Sequence, residues 1–112
     1  MTKTAQDFEM WSGDHRNLTF IVTDSTGASK DLTDASVIWV LSENPTSASL
    51  VKRSTDSGCG ITVSGCTFTV SLSPVHTSNL SGYYYHEAQV RDSASNVVTV
   101  AVGTARIRYD VA

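Results

Sequence analysis

The chain has 112 residues and a hydrophobic fraction of 40%, enough for one packed core, which argues against intrinsic disorder. Its formal net charge of −3 argues against a nucleic-acid binder that neutralises phosphates with lysine and arginine. The first residues form no apolar signal segment and no apolar run approaches membrane-spanning length, so we expect a protein made and folded in a cytoplasm, without a membrane partner.

Apolar and polar residues alternate with a period of two in segment after segment, whereas helical periodicity is hard to find. The 16 serines and 14 threonines also favour strands and turns. The pattern predicts strands at residues 7–12, 17–23, 35–42, 50–54, 61–63, 66–72, 82–92 and 97–103. A bend at Gly103 would allow residues 104–110 to continue the last of them.

Seven or eight short, mostly antiparallel strands with turn signals between them predict an all-β fold, an immunoglobulin-like β-sandwich, with residues 1–112 as a single domain. Strand 50–54 carries Lys52 and Arg53, which discourage further pairing. It is therefore predicted at the edge of its sheet.

The stretch GYYYHEAQV decides which side chains of strand 82–92 face the interior. Residues two apart share a face, so Tyr84 and His86 form a set with two small apolar residues, and the other set is more polar. Tyr84 and His86 are therefore predicted to point inward. The same alternation in ASVIWVLS turns Trp39 inward and leaves Ile38 and Val40 outward.

The order LSGYYYH resembles the tyrosine corner of immunoglobulin domains, where a tyrosine lies two residues before the second conserved cysteine. The resemblance implies that the Tyr84 hydroxyl is bonded to backbone a few residues upstream and that Trp39 is the buried tryptophan of the third strand. His86 stands where those domains have cysteine, so their inter-sheet disulfide is absent.

The two cysteines, Cys59 and Cys66, flank a predicted two-residue turn at Ser64-Gly65. In that register their sulfurs would lie too far apart to bridge, so free thiols are favoured, although a looser loop would bring them together.

No residue set predicts catalysis, a metal site or a cofactor. His86-Glu87 begins the motif H-E-x-x-H, but position 90 is valine and adjacent strand residues point to opposite faces. Asp24, Asp31 and Asp34 bracket a turn with a spacing that fits no calcium loop, which favours turn-capping aspartates.

Two longer segments carry a family resemblance. LTFIVTDSTGASKDLTDASVIWVL combines a D-x-x-G turn, a D-L-T segment and an apolar strand, and SLSPVHTSNLSGYYYHE continues it, with His76 where aspartate is usual. The order and spacing of these motifs resemble those of the N-terminal β-domain of upper baseplate proteins of tailed bacteriophages and related small virion proteins. The resemblance implies a virion component, made in the host bacterial cytoplasm, that joins other virion proteins through surfaces.

The residues predicted to point outward suggest where such joining occurs. Ile38, Val40, Tyr83 and Tyr85 are expected on the outer face of one sheet, because the third, sixth and seventh strands of immunoglobulin sandwiches, here matched by strands 35–42, 82–92 and 97–103, share a sheet. Strand 97–103 would add either Val97, Thr99 and Ala101 or Val98, Val100 and Val102. An apolar, tyrosine-rich face predicts docking to other virion proteins or to copies of this chain, with no small-molecule substrate. The alternatives are that loop 43–49 covers this face or that its scattered apolar residues are merely exposed.

A different class of function also fits the sequence, an adhesive or carbohydrate-binding module. Trp11, Tyr83 or Tyr85 would then stack on sugar rings, with the polar residues that follow Trp11 lining the site. For Trp11 itself a buried position is favoured, since tryptophan is usually highly buried.

Overall fold

Nine strands and one short helix are formed by the residues that the computed structural model describes, 4–5, 7–23, 26–28, 31–56 and 59–109. Their bounds are β1 (Thr4–Ala5), β2 (Phe8–Trp11), β3 (Arg16–Ile21), β4 (Ser36–Ser42), β5 (Ser49–Ser54), β6 (Ile61–Ser64), β7 (Thr67–Leu72), α1 (Pro74–Thr77), β8 (Gly82–Arg91) and β9 (Val97–Arg108).

The strands form two sheets that face each other across one core. The larger has the order β5-β4-β8-β9, with β1 and β2 along the remaining side of β9, and the smaller has the order β3-β7-β6. Predicted strands 35–42, 82–92 and 97–103, now β4, β8 and β9, are neighbours, like the third, sixth and seventh strands of immunoglobulin domains. The predicted all-β, immunoglobulin-like sandwich is confirmed, and so is the edge position of β5.

The N-terminal strands give the larger sheet its parallel pairing. β1 lies parallel to residues 101–102 of β9, and β2 lies parallel to residues 105–108. Between these two stretches the Asp7 carboxylate accepts the backbone N–H of Thr104 at 2.8 Å. β1 was not among the predicted strands.

A β-bulge lies in β9 opposite β8. Ala88 pairs with Ala101 and Gln89 pairs with Thr99, which leaves Val100 as the extra residue. The bulge reverses the alternation, so that Val97 and Thr99 point outward before it and Val102 points outward after it. Neither of the two predicted outward sets of this strand therefore stays together. β9 otherwise continues through Gly103, as predicted.

The hairpin between β6 and β7 turns one residue later than predicted. Ser64 pairs with Thr67, so the turn residues are Gly65 and Cys66 instead of Ser64-Gly65. Cys59 precedes β6 and Cys66 follows it, so the two cysteines lie at opposite ends of the strand, and both are free thiols. The preference for free thiols is confirmed, although the predicted register was wrong.

The predicted connection 74–81 contains the single turn of α1, held at its start by His76. Nδ1 of His76 lies 2.9 Å from the backbone nitrogen of Ser73, and Nε2 lies 3.0 Å from Nη1 of Arg53. Both neighbours are donors, and a protonated imidazole has no acceptor to offer either of them. Burial and, secondly, the charge of Arg53 lower the pKa of His76.

We expect this histidine to make stability fall as the pH decreases. The pKa of His76 is below its ordinary value of 6.5 in the folded chain, so the unfolded chain binds the extra proton as pH drops below that value. The stabilisation is complete above about pH 6.5 and is lost as the pH falls through the folded pKa. Urea midpoints at pH 7, 6 and 5 will measure the loss.

The His76→Asp variant is the matched test of that loss. Aspartate keeps an acceptor for Ser73 and pairs with Arg53, so its own acid loss should begin only near its ordinary pKa of about 4. The control His15→Gln changes an exposed histidine and should keep the wild-type profile. If wild type and His76→Asp lose the same stability between pH 7 and 5, His76 is not the titrating group.

Candidate interaction surface

Trp39 and His86, which alternation places inside, are both fully buried. The indole Nε1–H of Trp39 donates to Nδ1 of His86 at 3.1 Å, so this nitrogen carries no proton. The ring of Phe8 packs edge-on against the imidazole at 5.0 Å between centroids, and Phe20 lies at 6.3 Å across the core. The histidine at the cysteine position is therefore a packed, hydrogen-bonded core residue.

Tyr84 forms the tyrosine corner that the sequence resemblance implies. Its ring is half-buried against the core, and its hydroxyl both donates to the carbonyl of Ser81 at 2.9 Å and accepts the N–H of Ser81 at 3.0 Å. One hydroxyl thus satisfies both backbone groups of Ser81 where the chain enters β8.

Replacing Tyr84 with phenylalanine should lower the free energy of unfolding by about 1 to 2 kcal/mol, because both hydrogen bonds are lost and the ring is kept. Chemical denaturation measures the change. Tyr83→Phe is the control, since the Tyr83 side chain is largely exposed, and it should change stability by less than about 0.5 kcal/mol. Equal effects of the two variants would show that the corner does not stabilise the fold.

The four residues predicted to face outward share one face of the larger sheet. Ile38 is 37% exposed and Tyr83 is 68% exposed, whereas Val40 and Tyr85 are half-buried. We call this surface the docking face and define it by the outward residues of four adjacent strands: Lys52 and Ser54 of β5, Ser36, Ile38 and Val40 of β4, Tyr83, Tyr85, Glu87, Gln89 and Arg91 of β8, and Val97, Thr99, Val102 and Thr104 of β9.

Loop 43–49 does not cover Ile38 or Tyr83, which remain accessible, whereas Val40 and Tyr85 are half-buried. The face is more mixed in polarity than a purely apolar patch, since charged side chains flank the aliphatic centre. The Tyr85 hydroxyl donates to the Glu87 carboxylate at 3.1 Å. Burial first, and then this bond and the negative charge of Glu87, raise the pKa of Tyr85.

Trp11 is not buried, which corrects the favoured sequence interpretation. Phe8 and Met10 are the inward residues of β2, so alternation turns Glu9 and Trp11 outward, and Trp11 is 47% exposed. The pattern FEMW contains this signal, because its two inward positions are both apolar and glutamate shares the parity of tryptophan.

Outward residues of β2, β8 and β9 form an aromatic–arginine cluster beside the docking face. Glu9 lies 3.5 Å from Arg106 and 3.1 Å from Arg108, and each arginine covers an aromatic ring at 5.4 Å. Arg106 covers Tyr83 and Arg108 covers Trp11. Neither of these contacts is predictable from the sequence alone, because they depend on the register of three strands.

The aspartates considered for calcium are used in turns where the structure describes them. Asp31 accepts both the N–H and the hydroxyl of Thr33, at 2.9 and 2.7 Å, and Asp34 adopts a left-handed φ of 66°. Asp24 lies outside the described residues. Within the described part of the chain, no group of three or more His, Cys, Asp or Glu side chains could hold a metal ion.

The described residues include no helix with the length and hydrophobicity needed to cross a membrane. Neither a family model nor a curated protein matches this sequence. A solved structure of murine CRIg is similar over 98% of this chain and 93% of that chain, with 11% sequence identity and a TM-score of 0.37. Such a match carries no argument about function, and the fold class rests on the strand order described above.

Proposed function

We propose that this chain is a non-enzymatic structural protein of a tailed-bacteriophage particle, a tail, baseplate or head-attached subunit that docks to other virion proteins through the docking face. One observation carries the docking part of the proposal. Ile38, Val40, Tyr83 and Tyr85 come from two paired strands and lie on one open sheet face. Aromatic residues on such a face are typical of protein interfaces, where a few of them contribute most of the binding energy.

The virion part of the proposal is supported by the sequence motifs that resemble the upper baseplate domain. These motifs form turns and packing contacts: Asp31 caps the D-L-T turn, and the S-P-x-x-T segment forms α1. Its Thr77 is fully buried, and the Thr77 hydroxyl accepts the N–H of Gly13 at 3.0 Å. The motifs thus build the fold and leave the outward strand residues for contact with partners.

We expect the double variant Ile38→Glu, Tyr85→Lys to fold but to be at least about tenfold depleted from particles, because a charge buried at an interface without a partner costs several kcal/mol. Mass spectrometry of purified particles measures its copy number against wild type. The matched control Ile21→Glu, Thr62→Lys places the same charges at exposed positions of the smaller sheet and should be incorporated normally. Normal incorporation of the docking-face variant would place the docking surface elsewhere.

A second candidate function, an adhesive or carbohydrate-binding module, is favoured by the aromatic–arginine cluster. Trp11 and Tyr83 line a shallow groove with Tyr109, which is 70% exposed, and the two arginines of the cluster border it. Exposed rings with neighbouring hydrogen-bond donors suit stacking on a sugar. Binding of the purified chain to a glycan array or to intact bacterial cells, lost on Trp11→Ala with Tyr83→Ala, would support adhesion. Retention of binding in that variant would exclude this groove.

A further inference from the structure

The charges of the docking face follow a fixed order across three strands. Lys52 of β5, Val40 of β4 and Glu87 of β8 lie in one row, because Val40 pairs with both of the others. A second row, four residues along the strands, contains Ser36 and its pairing partner Arg91.

β5 ends at Ser54, so no residue of β5 pairs with Ser36 in this second row. The row through Val40 is the one with a charge on both flanks of β4, positive at Lys52 and negative at Glu87.

The centre line between these flanks is uncharged. The residues of β4 on the docking face are Ser36, Ile38 and Val40, and Ser42, which has the same parity, is buried. By contrast, the outward residues of β8 include Glu87 and Arg91, and those of β9 include Arg106 and Arg108. Among these three strands, β4 is the one whose outward residues could meet their own copies without a clash of like charges.

This arrangement is self-complementary under a two-fold rotation. When two identical faces meet, the axis lies in the interface, so order along the axis is kept and order across it is reversed. With the axis along β4, Ile38 and Val40 meet their own copies. Lys52 then lies opposite Glu87 of the partner subunit, and Glu87 lies opposite Lys52 of the partner subunit, two ion pairs in all.

We propose that the docking face binds a second copy of this chain, in a two-fold dimer whose axis runs along β4. This inference rests on the proposed function, in which this face is the docking surface, and it identifies the partner as a second copy of the chain. Facing sheets cross at about 30°. The strands beside β4 lie about 4.8 Å from the axis, so the crossing displaces facing residues along the strands by about 2–3 Å, a distance that a lysine side chain spans.

The size of the face sets the expected strength of the dimer. With the axis along β4, the strands of the two copies that overlap are β5, β4 and β8, and β4 has seven residues. The overlap is about 14 by 24 Å, which is about 340 Å² per copy and about 700 Å² in total. This is below the range for stable specific interfaces, so we expect a weak dimer with a dissociation constant on the order of 0.1 mM.

A charge-swap experiment on the full chain tests the dimer by sedimentation equilibrium at about 50 mM salt, where ion pairs are weakly screened. Lys52→Glu and Glu87→Lys should each raise the dissociation constant at least about tenfold, because each turns two attractions into two repulsions. The double variant K52E/E87K should return to within about threefold of wild type. The control Arg16→Glu, on the smaller sheet, should dimerise like wild type.

Mixing the two single variants gives the sharpest result. In the mixed dimer both reversed charges again face opposite charges, so an equimolar mixture should dimerise although neither variant does alone. A wild-type chain that is monomeric at about 1 mM, or a mixture that stays monomeric, overturns the second copy as partner.

The two proposals fail separately. If the wild-type chain is monomeric but Ile38→Glu, Tyr85→Lys is lost from particles, the face binds a different virion protein and the proposed function stands. If the charge-swap series behaves as expected but that variant enters particles normally, the dimer stands and the virion role of the face is wrong.

Discussion

Replacing Trp39 with phenylalanine should lower the free energy of unfolding by about 2 to 4 kcal/mol. The smaller ring leaves part of a fully buried volume empty, and Nδ1 of His86 loses the indole N–H that donates to it at 3.1 Å. Both losses occur in the interior, where water cannot replace the missing donor without entering the core. Urea or guanidinium denaturation measures the change.

Trp11→Phe is the control for Trp39→Phe, because Trp11 lies on the outer face. This substitution should lower the free energy of unfolding by less than about 1 kcal/mol, mainly through the weakened contact with Arg108. A double-mutant cycle with His86→Leu separates the hydrogen bond from the cavity. We expect the two core substitutions to be non-additive by about 1 kcal/mol. Strict additivity would mean that the Trp39–His86 bond contributes nothing to stability.

Truncating Phe20 to alanine should cost about 3 to 5 kcal/mol, the largest effect expected from a single substitution considered for this chain. Phe20 belongs to the smaller sheet, where its ring stacks on Phe68 with centroids 4.9 Å apart. It also approaches His86 of the larger sheet at 6.3 Å. The ring therefore contributes to packing within its own sheet and between the two sheets.

The adjacent residue on β3 provides the control for Phe20→Ala. Ile21 has the opposite parity and is largely exposed, so Ile21→Ala should cost less than about 1 kcal/mol. Thermal or chemical unfolding of the two variants compares adjacent residues whose side chains point to opposite faces of β3. Comparable losses would contradict the parity of β3 and with it the placement of Phe20 between the sheets.

Alternation correctly predicted the facing of most strand residues because it is a local property of extended chain. Trp39 and His86 are buried, Tyr84 packs against the core, and Ile38 and Tyr83 are exposed, as the two-residue period requires. The prediction for Trp11 was wrong because it followed the general preference of tryptophan for burial and not the parity of Trp11 within its own strand.

Features that involve a second strand were not predictable in the same way. The bulge at Val100 lies in VVTVAV, which is apolar on both faces, so no change of pattern marks it. The later turn at Gly65-Cys66 is defined by the pairing of β6 with β7. The contacts of His76 include Arg53 from β5, which is brought beside α1 only when the chain folds.

By itself, the sequence determined the all-β class, most strands, the inward set around Trp39 and His86, and the tyrosine corner at Tyr84. Each depends on side-chain alternation or on a short motif, and both act over a few residues. Only the tertiary structure decided how the outward side chains are grouped. The row from Lys52 through Val40 to Glu87, and the stacking of Arg106 and Arg108 on aromatic rings, join residues that are distant in the chain. Such neighbours are set by strand order and register, which come from the packing of the whole sandwich.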